Sequence, residues 1–214
     1  MTEPDPDFVA RHTTDIELRD GTRVRIRPIT PDDRDRLKEG FERLSPRSRY
    51  LRFLAPVAEL TPEMLDYLTE VDYHDHFAWG ALALDQEGHP GIGVARYVRL
   101  HDEPEVAEPA VAVADEYQGR GLGTALLYTL SDTAVQHGIK RFRALVLAEN
   151  EAMLQVFREM GASLRRTGGT MIEVEIELPP APGGLHEENL RSALRAVAKG
   201  EVEVPSPVRR WLAR

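Results

Sequence analysis

Alternation of apolar and polar positions predicts strands along much of the chain. On both sides of Asp20-Gly21 this alternation indicates a hairpin, because Asp-Gly suits the tight turn between two antiparallel strands. Further strands are predicted over residues 77–84, 91–100, 108–114, 141–147 and 171–178.

Capping signals and helical spacing predict five helices in the same part of the chain. Apolar residues recur with helical spacing over 121–137 and 151–160. In the helix that begins at Ser45-Pro46 we expect Tyr50, Leu51 and Phe53 to pack inward. The capped helices begin where a hydroxyl residue precedes proline, at Thr30-Pro31, Ser45-Pro46 and Thr61-Pro62.

The order of these elements indicates one α/β or α+β layered domain over residues 14–178. Residues 1–13 are expected to form a flexible tail. A linker rich in Pro and Gly begins at 179, and an apolar stripe predicts an amphipathic helix over about 187–199. We expect the segment 179–214 to dock on the domain or to form a homodimer.

Composition excludes several classes of function. The 214 residues include no cysteine, so disulfides and thiolate chemistry are ruled out. The net charge of −9 is opposite to that of a phosphate-backbone binder, so we expect no nucleic-acid partner. The longest apolar run, over 77–84, is far shorter than the roughly 20 residues of a membrane span. With no secretory signal at the N-terminus, we expect a cytoplasmic protein without a membrane partner.

Negative charge is concentrated between His101 and Gln118. This stretch contains no Lys or Arg, so it would attract a cation. Its acidic residues are Asp102, Glu103, Glu105, Glu108, Asp115 and Glu116.

A glycine-rich loop, residues 118–124, lies between a predicted strand and a predicted helix. Glycines let a ligand approach the backbone closely, and the free N–H groups of a helix N-terminus favour a pyrophosphate. The loop has neither the Gly-Lys-Ser/Thr of a Walker A motif nor the spacing of the dinucleotide fingerprint. From the loop alone, a strand-to-helix turn without a ligand is an equally good interpretation.

Three stretches together resemble the GNAT superfamily of N-acetyltransferases. Gln118-x-x-Gly121-x-Gly123 resembles the acetyl-CoA signature Q/R-x-x-G-x-G/A, and it follows a Val-x-Val strand as that signature requires. Downstream, Asn150 opens a helix that ends at Gly161, as in the second half of the family's fold. Upstream, residues 44–53 and 71–76 resemble the Pat-like protein lysine acetyltransferases of bacteria.

This resemblance, which spans roughly residues 16–178, implies a mixed central sheet of six to seven strands flanked by helices. The sheet would be splayed at the strand before the glycine loop, where the pantetheine arm of acetyl-CoA would bind as a pseudo-strand. The donor would be acetyl-CoA, with no metal. The residues that the resemblance places against the donor are Val111, Ala112, Val113, Gln118, Gly119, Arg120, Gly121, Leu122, Gly123, Thr124 and Asn150.

The resemblance also points to the catalytic group. An amine with a pKa of about 10.4 is mostly protonated at neutral pH, so its attack on a thioester requires a proton acceptor. Glu108 stands close to where Pat-like enzymes have their catalytic glutamate, and His101 and Glu105 are the reserve candidates. The family often uses a tyrosine as general acid, but Phe157 stands at the matching position. Tyr117 and Tyr128 are nearby substitutes, each with a structural role as the alternative.

Three functions remain open at this point. The leading hypothesis is an acetyl-CoA-dependent N-acetyltransferase that modifies a primary amine, with a protein lysine as acceptor and a glutamate as general base. The second keeps this chemistry and replaces the lysine by a small polyamine or aminosugar, which the acidic stretch would attract equally well. The third is a catalytically idle acyl-CoA-binding sensor, favoured only by Phe157.

Overall fold

Eight strands form one mixed sheet in the computed structural model, which describes residues 6–178. The strands are β1 Thr14–Glu17, β2 Arg23–Pro28, β3 His76–Ala83, β4 Gly91–Leu100, β5 Glu103–Val113, β6 Arg141–Leu147, β7 Ser163–Arg166 and β8 Met171–Glu177. Their order across the sheet is β1-β2-β3-β4-β5-β6-β8-β7. Only β5 and β6 pair in parallel. This confirms the predicted fold class, with one strand more than expected: β7, whose four residues are too few to show an alternation.

Six α-helices connect the strands in the described part of the chain. They are α1 Pro6–Arg11, α2 Arg34–Glu42, α3 Pro46–Phe53, α4 Pro62–Thr69, α5 Leu122–Gln136 and α6 Glu151–Glu159. The predicted caps form: Ser45 Oγ accepts the N–H of Ser48 at 3.2 Å, and Thr61 Oγ1 accepts that of Met64 at 3.3 Å. At the third signal, a 3-10 turn over Pro31–Asp33 precedes α2.

The two faces of the sheet carry different helices. Helices α1, α5 and α6 cover the first, which we call the α5 face, and the largest apolar core lies beneath them. Helices α2, α3 and α4 cover part of the second, which we call the α2–α4 face, over two smaller apolar clusters. Alternation along each strand therefore decides which of these environments a side chain meets.

The N-terminal region differs from the predicted tail. Helix α1 occupies part of it, and Phe8 packs against the main core, with its ring 5.3 Å from that of Tyr73 and 6.5 Å from that of Phe77. Residues 6–13 thus belong to the folded domain, because one aromatic side chain anchors a helix too short to be stable alone.

Helix α3 also differs in orientation from the prediction. Tyr50 is exposed, whereas Arg49 is turned inward, with its guanidinium 4.3 Å from the ring centre of Phe41. Arg49 also donates to the carbonyl oxygens of Leu44 and Ala58 at 3.0 and 2.7 Å. Phe53 packs inward as predicted, against Phe41.

The predicted linker and amphipathic helix over 179–214 lie outside the described residues, as do residues 1–5. Within residues 6–178, no helix is long and apolar enough to cross a bilayer.

Candidate active site

The glycine loop presents a row of backbone donors. Gly119 and Gly121 adopt φ of 73° and 93°, a region that favours glycine, and α5 begins directly after Gly121. The N–H groups of residues 119–124 donate no hydrogen bond to any acceptor within residues 6–178. Six consecutive free amides at the N-terminus of a helix form a site for a phosphate group.

Strands β5 and β6 part beside this loop. They pair only at Val106 with Arg141 and at Ala107 with Phe142, although β5 continues for six residues beyond Ala107. On its other side, β5 stays paired with β4 up to Val113. The predicted splay is therefore present, and it opens a cleft along one edge of β5.

The direction of the hydrogen bonds shows which residues of β5 face the cleft. The N–H of Ala114 donates to the carbonyl of Ile92, the second residue of β4, at 2.9 Å, which continues the register of Gly93 with Val113. Because peptide groups alternate along a strand, Ala112 faces β4, and Val111 and Val113 direct their N–H and C=O groups into the cleft. Their peptide groups are thus free to bond to a ligand, and the contacts of Val111 and Val113 with the donor stay predictions. Ala112 differs, because its peptide is directed toward β4 and its side chain packs on the α2–α4 face.

Several predicted donor-binding side chains already have partners in the protein. Gln118 Nε2 donates to the carbonyl of Val113 at 3.0 Å, which links the loop to the open edge of β5. Arg120 binds Asp20 at 2.5 Å, so the hairpin already compensates its charge. Leu122 is buried, so only its backbone is available to a ligand. Asn150 caps α6 by accepting the N–H of Met153 at 3.2 Å, which is the structural alternative for this residue. Contacts of these four residues with the donor stay predictions.

Glu108 occupies the other end of the cleft. It is the first residue of β5 after the last pair with β6, and it is exposed. It shares the α2–α4 face with Ala112, since the two residues are separated by an even number of positions along the strand. An exposed carboxylate at the point where the strands part is placed to accept a proton in the cleft.

Ion pairs neutralise part of the predicted acidic stretch. Glu103 pairs with Arg143 at 2.6 Å, Glu105 with Lys140 at 2.5 Å and Glu116 with Arg43 at 3.3 Å. Within the described residues, Glu108 forms no such pair. Of the two reserve candidates, Glu105 is therefore held by a lysine, and His101 lies exposed in the turn between β4 and β5.

The aromatic candidates for a general acid are positioned for packing. Phe157 is 3% exposed in the main core. Tyr117 is also buried, and its hydroxyl bonds to the side-chain amide of Gln86. The hydroxyl of Tyr128 is buried and has no hydrogen-bond partner among residues 6–178, and burial, followed by the charge of Glu159, raises its pKa. Within the described residues, neither tyrosine hydroxyl is hydrogen-bonded to Glu108.

Three residues near Glu108 were not identified from the sequence. Arg52 and Arg96 line a cavity between the sheet and α2–α4, and the charge of Glu108 acts on Arg52. Leu145 lies on β6 beyond its last pair with β5, and its side chain is 46% exposed on the α2–α4 face. Two of them could have been noticed in the sequence. Arg96 stands in the middle of the strand predicted over 91–100, and Leu145 stands at an outward position of the strand predicted over 141–147.

Comparison with known proteins adds to this geometry. Residues 23–163 match the family model described as an acetyltransferase (GNAT) domain. Acetyltransferase Pat of Mycolicibacterium smegmatis is 34% identical over 195 residues, which cover 89% of this chain and 56% of Pat. The chain thus spans about half the length of that relative. Acetyltransferase PA5475 of Pseudomonas aeruginosa is 36% identical over 144 residues, covering 67% of this chain and 77% of that protein.

A solved structure has a similar fold. The crystal structure of the GNAT domain of S. lividans PAT superposes with a TM-score of 0.73 at 34% identity, covering 79% of this chain and 98% of that domain. The splayed strands, the row of free amides and the match over residues 23–163 agree with one another. The chain therefore belongs to the GNAT acetyltransferase family.

Proposed function

We propose that this protein transfers an acetyl group from acetyl-CoA to a primary amine, with the lysine side chain of a protein as the acceptor. The observation that carries the proposal is the row of free amides at 119–124 beside the open edge of β5. The resemblance of residues 44–53 and 71–76 to Pat-like enzymes supports a protein lysine rather than a small amine.

The length of the open edge of β5 supports acetyl-CoA as the donor. The amides of residues 119–124 would bind its pyrophosphate, and the peptide groups of Val111 and Val113 would bond to its pantetheine amides. From Val113 to Glu108 the strand rises by roughly 17 Å, the scale of an extended pantetheine arm. Acetyl-CoA would supply the acyl group as a thioester, and this thioester would lie next to Glu108.

Glu108 would act as the general base. It would take the proton of the attacking amine, directly or through one water, while the new C–N bond forms and the C–S bond breaks. The thiol of coenzyme A, with a pKa near 8.5, leaves as a thiolate more readily than an amine would, so a dedicated general acid is dispensable. This agrees with the burial of Phe157 at the position where the family often has tyrosine.

One observation favours a second function, an idle acyl-CoA sensor, because no hydroxyl replaces the family's tyrosine at position 157. Acetyl-CoA consumption with protein lysines, polyamines and aminosugars, together with calorimetry of coenzyme A binding, separates these functions. Turnover with a protein substrate supports the proposal. Turnover confined to small amines moves the assignment to the small-amine enzyme, and binding without turnover on any acceptor moves it to the sensor.

A further inference from the structure

Two arginines lie on the α2–α4 face beside Glu108. Arg96, at the centre of β4, is 4% exposed. Its Nη2 donates to the carbonyl of Leu68 at 3.0 Å, and its Nη1 donates to His76 Nε2 at 3.0 Å. Arg52, on α3, lines the same cavity and makes no hydrogen bond within the described residues.

Neither guanidinium has a carboxylate in contact. Within residues 6–178, no Asp or Glu oxygen lies within 4.0 Å of either side chain. Burial, followed by the positive charge of Arg52, lowers the pKa of Arg96 to about 9. Burial also lowers the pKa of Arg52, and the charge of Glu108 only partly offsets that effect.

The environment of Arg27 differs from that of Arg52 and Arg96. Arg27 lines the same cavity and forms two hydrogen bonds with the buried carboxylate of Asp33, at 2.7 and 2.5 Å. Removing a charge from water costs several kcal/mol unless a partner compensates it. A protein with a net charge of −9 has many acids, yet none of the described ones is in contact with Arg52 or Arg96.

We propose that Arg52 and Arg96 bind a carboxylate that is carried by one of the two reacting substrates. The inference rests on the proposed function, because it takes the cleft at Glu108 as the place of transfer. A guanidinium matches a carboxylate with two parallel hydrogen bonds, and Arg52 has its donors available for this. The carboxylate is either the end of a dicarboxylic acyl group on coenzyme A or a carboxylate of the acceptor.

The first experiment tests the acyl donor with stable thioethers. S-(2-carboxyethyl)-CoA and S-propyl-CoA have similar size and differ in the terminal charge, and calorimetry measures their binding to the full chain. If the donor brings the carboxylate, the parent binds the carboxyethyl compound at least tenfold more tightly. Arg52→Gln then abolishes this preference and Arg52→Lys retains part of it. Arg23→Gln, which removes an exposed guanidinium paired with Asp85, leaves it unchanged.

The second experiment tests the acceptor. Lysine and lysinamide are compared as acetyl acceptors, since only lysine has a free carboxylate. If the acceptor brings the carboxylate, KM is at least tenfold lower for lysine in the parent and equal for the two in Arg52→Gln. Arg96→Gln is avoided because Arg96 is buried and donates two hydrogen bonds, whereas Arg52 makes none with the described residues. Thermal melts of Arg52→Gln check that the variant is folded.

The outcomes are distinguishable from those for the proposed function. If neither thioether binds, the coenzyme A assignment is wrong and this inference is wrong with it. If both thioethers bind equally and lysine and lysinamide react equally, the carboxylate site alone is refuted. A preference for the carboxylate that survives in Arg52→Gln refutes it as well.

Discussion

The two ends of the cleft present different chemistry to a substrate. At the glycine loop, residues 118–124, the groups offered are backbone amides, and their positions follow from two positive φ angles and the start of a helix. At Glu108, the groups offered are side chains, brought together from β4, β5 and α3. A backbone site depends on local sequence, whereas a side-chain site depends on packing between distant segments.

The largest effect is expected at the side-chain end. Glu108→Gln keeps the size of the side chain and removes the base, so turnover should fall by roughly 10²-fold or more near neutral pH. Coenzyme A affinity should stay near the parent value, because the amides at 119–124 are untouched. Steady-state kinetics and calorimetry measure the two quantities.

Glu105→Gln is the matched control for this variant. It lies on the same strand, but its carboxylate is already paired with Lys140, so turnover should change little. Parent-like turnover in Glu108→Gln would show that the base lies elsewhere, with His101 as the next candidate.

The backbone end can be tested at Gly123, which has no positive φ. A Cβ there would lie 3.7 Å from Val113 Cγ2, an ordinary contact, so a side chain fits. Gly123→Glu should bind coenzyme A at least tenfold more weakly than Gly123→Gln, because its carboxylate would repel the pyrophosphate. Calorimetry compares the two variants.

Loss of stability does not explain such a result, because an acidic residue in the first turn of a helix is stabilising. Thermal melts of both variants should therefore match or exceed the parent. Equal coenzyme A affinity of Gly123→Glu and Gly123→Gln would remove the pyrophosphate from this loop.

The same distinction explains what the sequence could predict. The Asp20-Gly21 hairpin, the caps at Ser45 and Thr61, and the glycine loop rest on neighbouring residues, and the structure contains them all. The splay was anticipated through family resemblance and is confirmed by the two-residue pairing of β5 with β6. The hairpin, the caps and the glycine loop need no knowledge of which distant segments meet, whereas the splay of β5 from β6 was available only through the resemblance.

At the Glu108 end of the cleft, Glu108 is the one site residue that the sequence analysis predicted. The pattern of β4 does not indicate that Arg96 is buried, since its burial depends on α4, whose Leu68 carbonyl accepts its hydrogen bond. Similarly, Arg49 is turned inward because it contacts the ring of Phe41 and the carbonyl oxygens of Leu44 and Ala58, all of which lie outside α3. Hydrophobic spacing ranks an arginine as a surface residue, so both were missed.

Acid should lower the stability of the fold through His76, which accepts a hydrogen bond from Arg96 at the Glu108 end of the cleft. Burial, with the charge of Arg96, lowers the pKa of His76 to about 4 in the folded protein, against 6.5 as its ordinary value. As the pH falls below 6.5, the His76 imidazole is therefore protonated in the unfolded chain before it is protonated in the folded protein. The free energy of unfolding should be constant above that pH and decrease toward pH 4, by up to about 1.4 kcal/mol per pH unit for this residue.

Urea unfolding at a series of pH values measures this slope. His76→Gln should reduce it, because the glutamine oxygen also accepts a hydrogen bond from Arg96 but does not titrate. A residual slope is expected from His137, whose pKa is also lowered, mainly by burial. His101→Gln, in an exposed turn, is the control and should keep the parent slope; an unchanged slope in His76→Gln would contradict the assignment.

The smallest effect is expected at Leu145, which lies on β6 along the cleft. It is 46% exposed on β6, where the strand no longer pairs with β5. Leu145→Ala should lower the free energy of unfolding by no more than about 1 kcal/mol, since nearly half of the residue is already exposed. A bound donor would cover it, so the variant should lose roughly 1 kcal/mol of contact with the donor, a several-fold rise in KM for acetyl-CoA. Leu54→Ala, an exposed leucine at the end of α3, should leave that KM unchanged. Equal KM values for acetyl-CoA in the parent and in Leu145→Ala would mean that the donor does not extend along β6 and is held by β5 and the glycine loop alone.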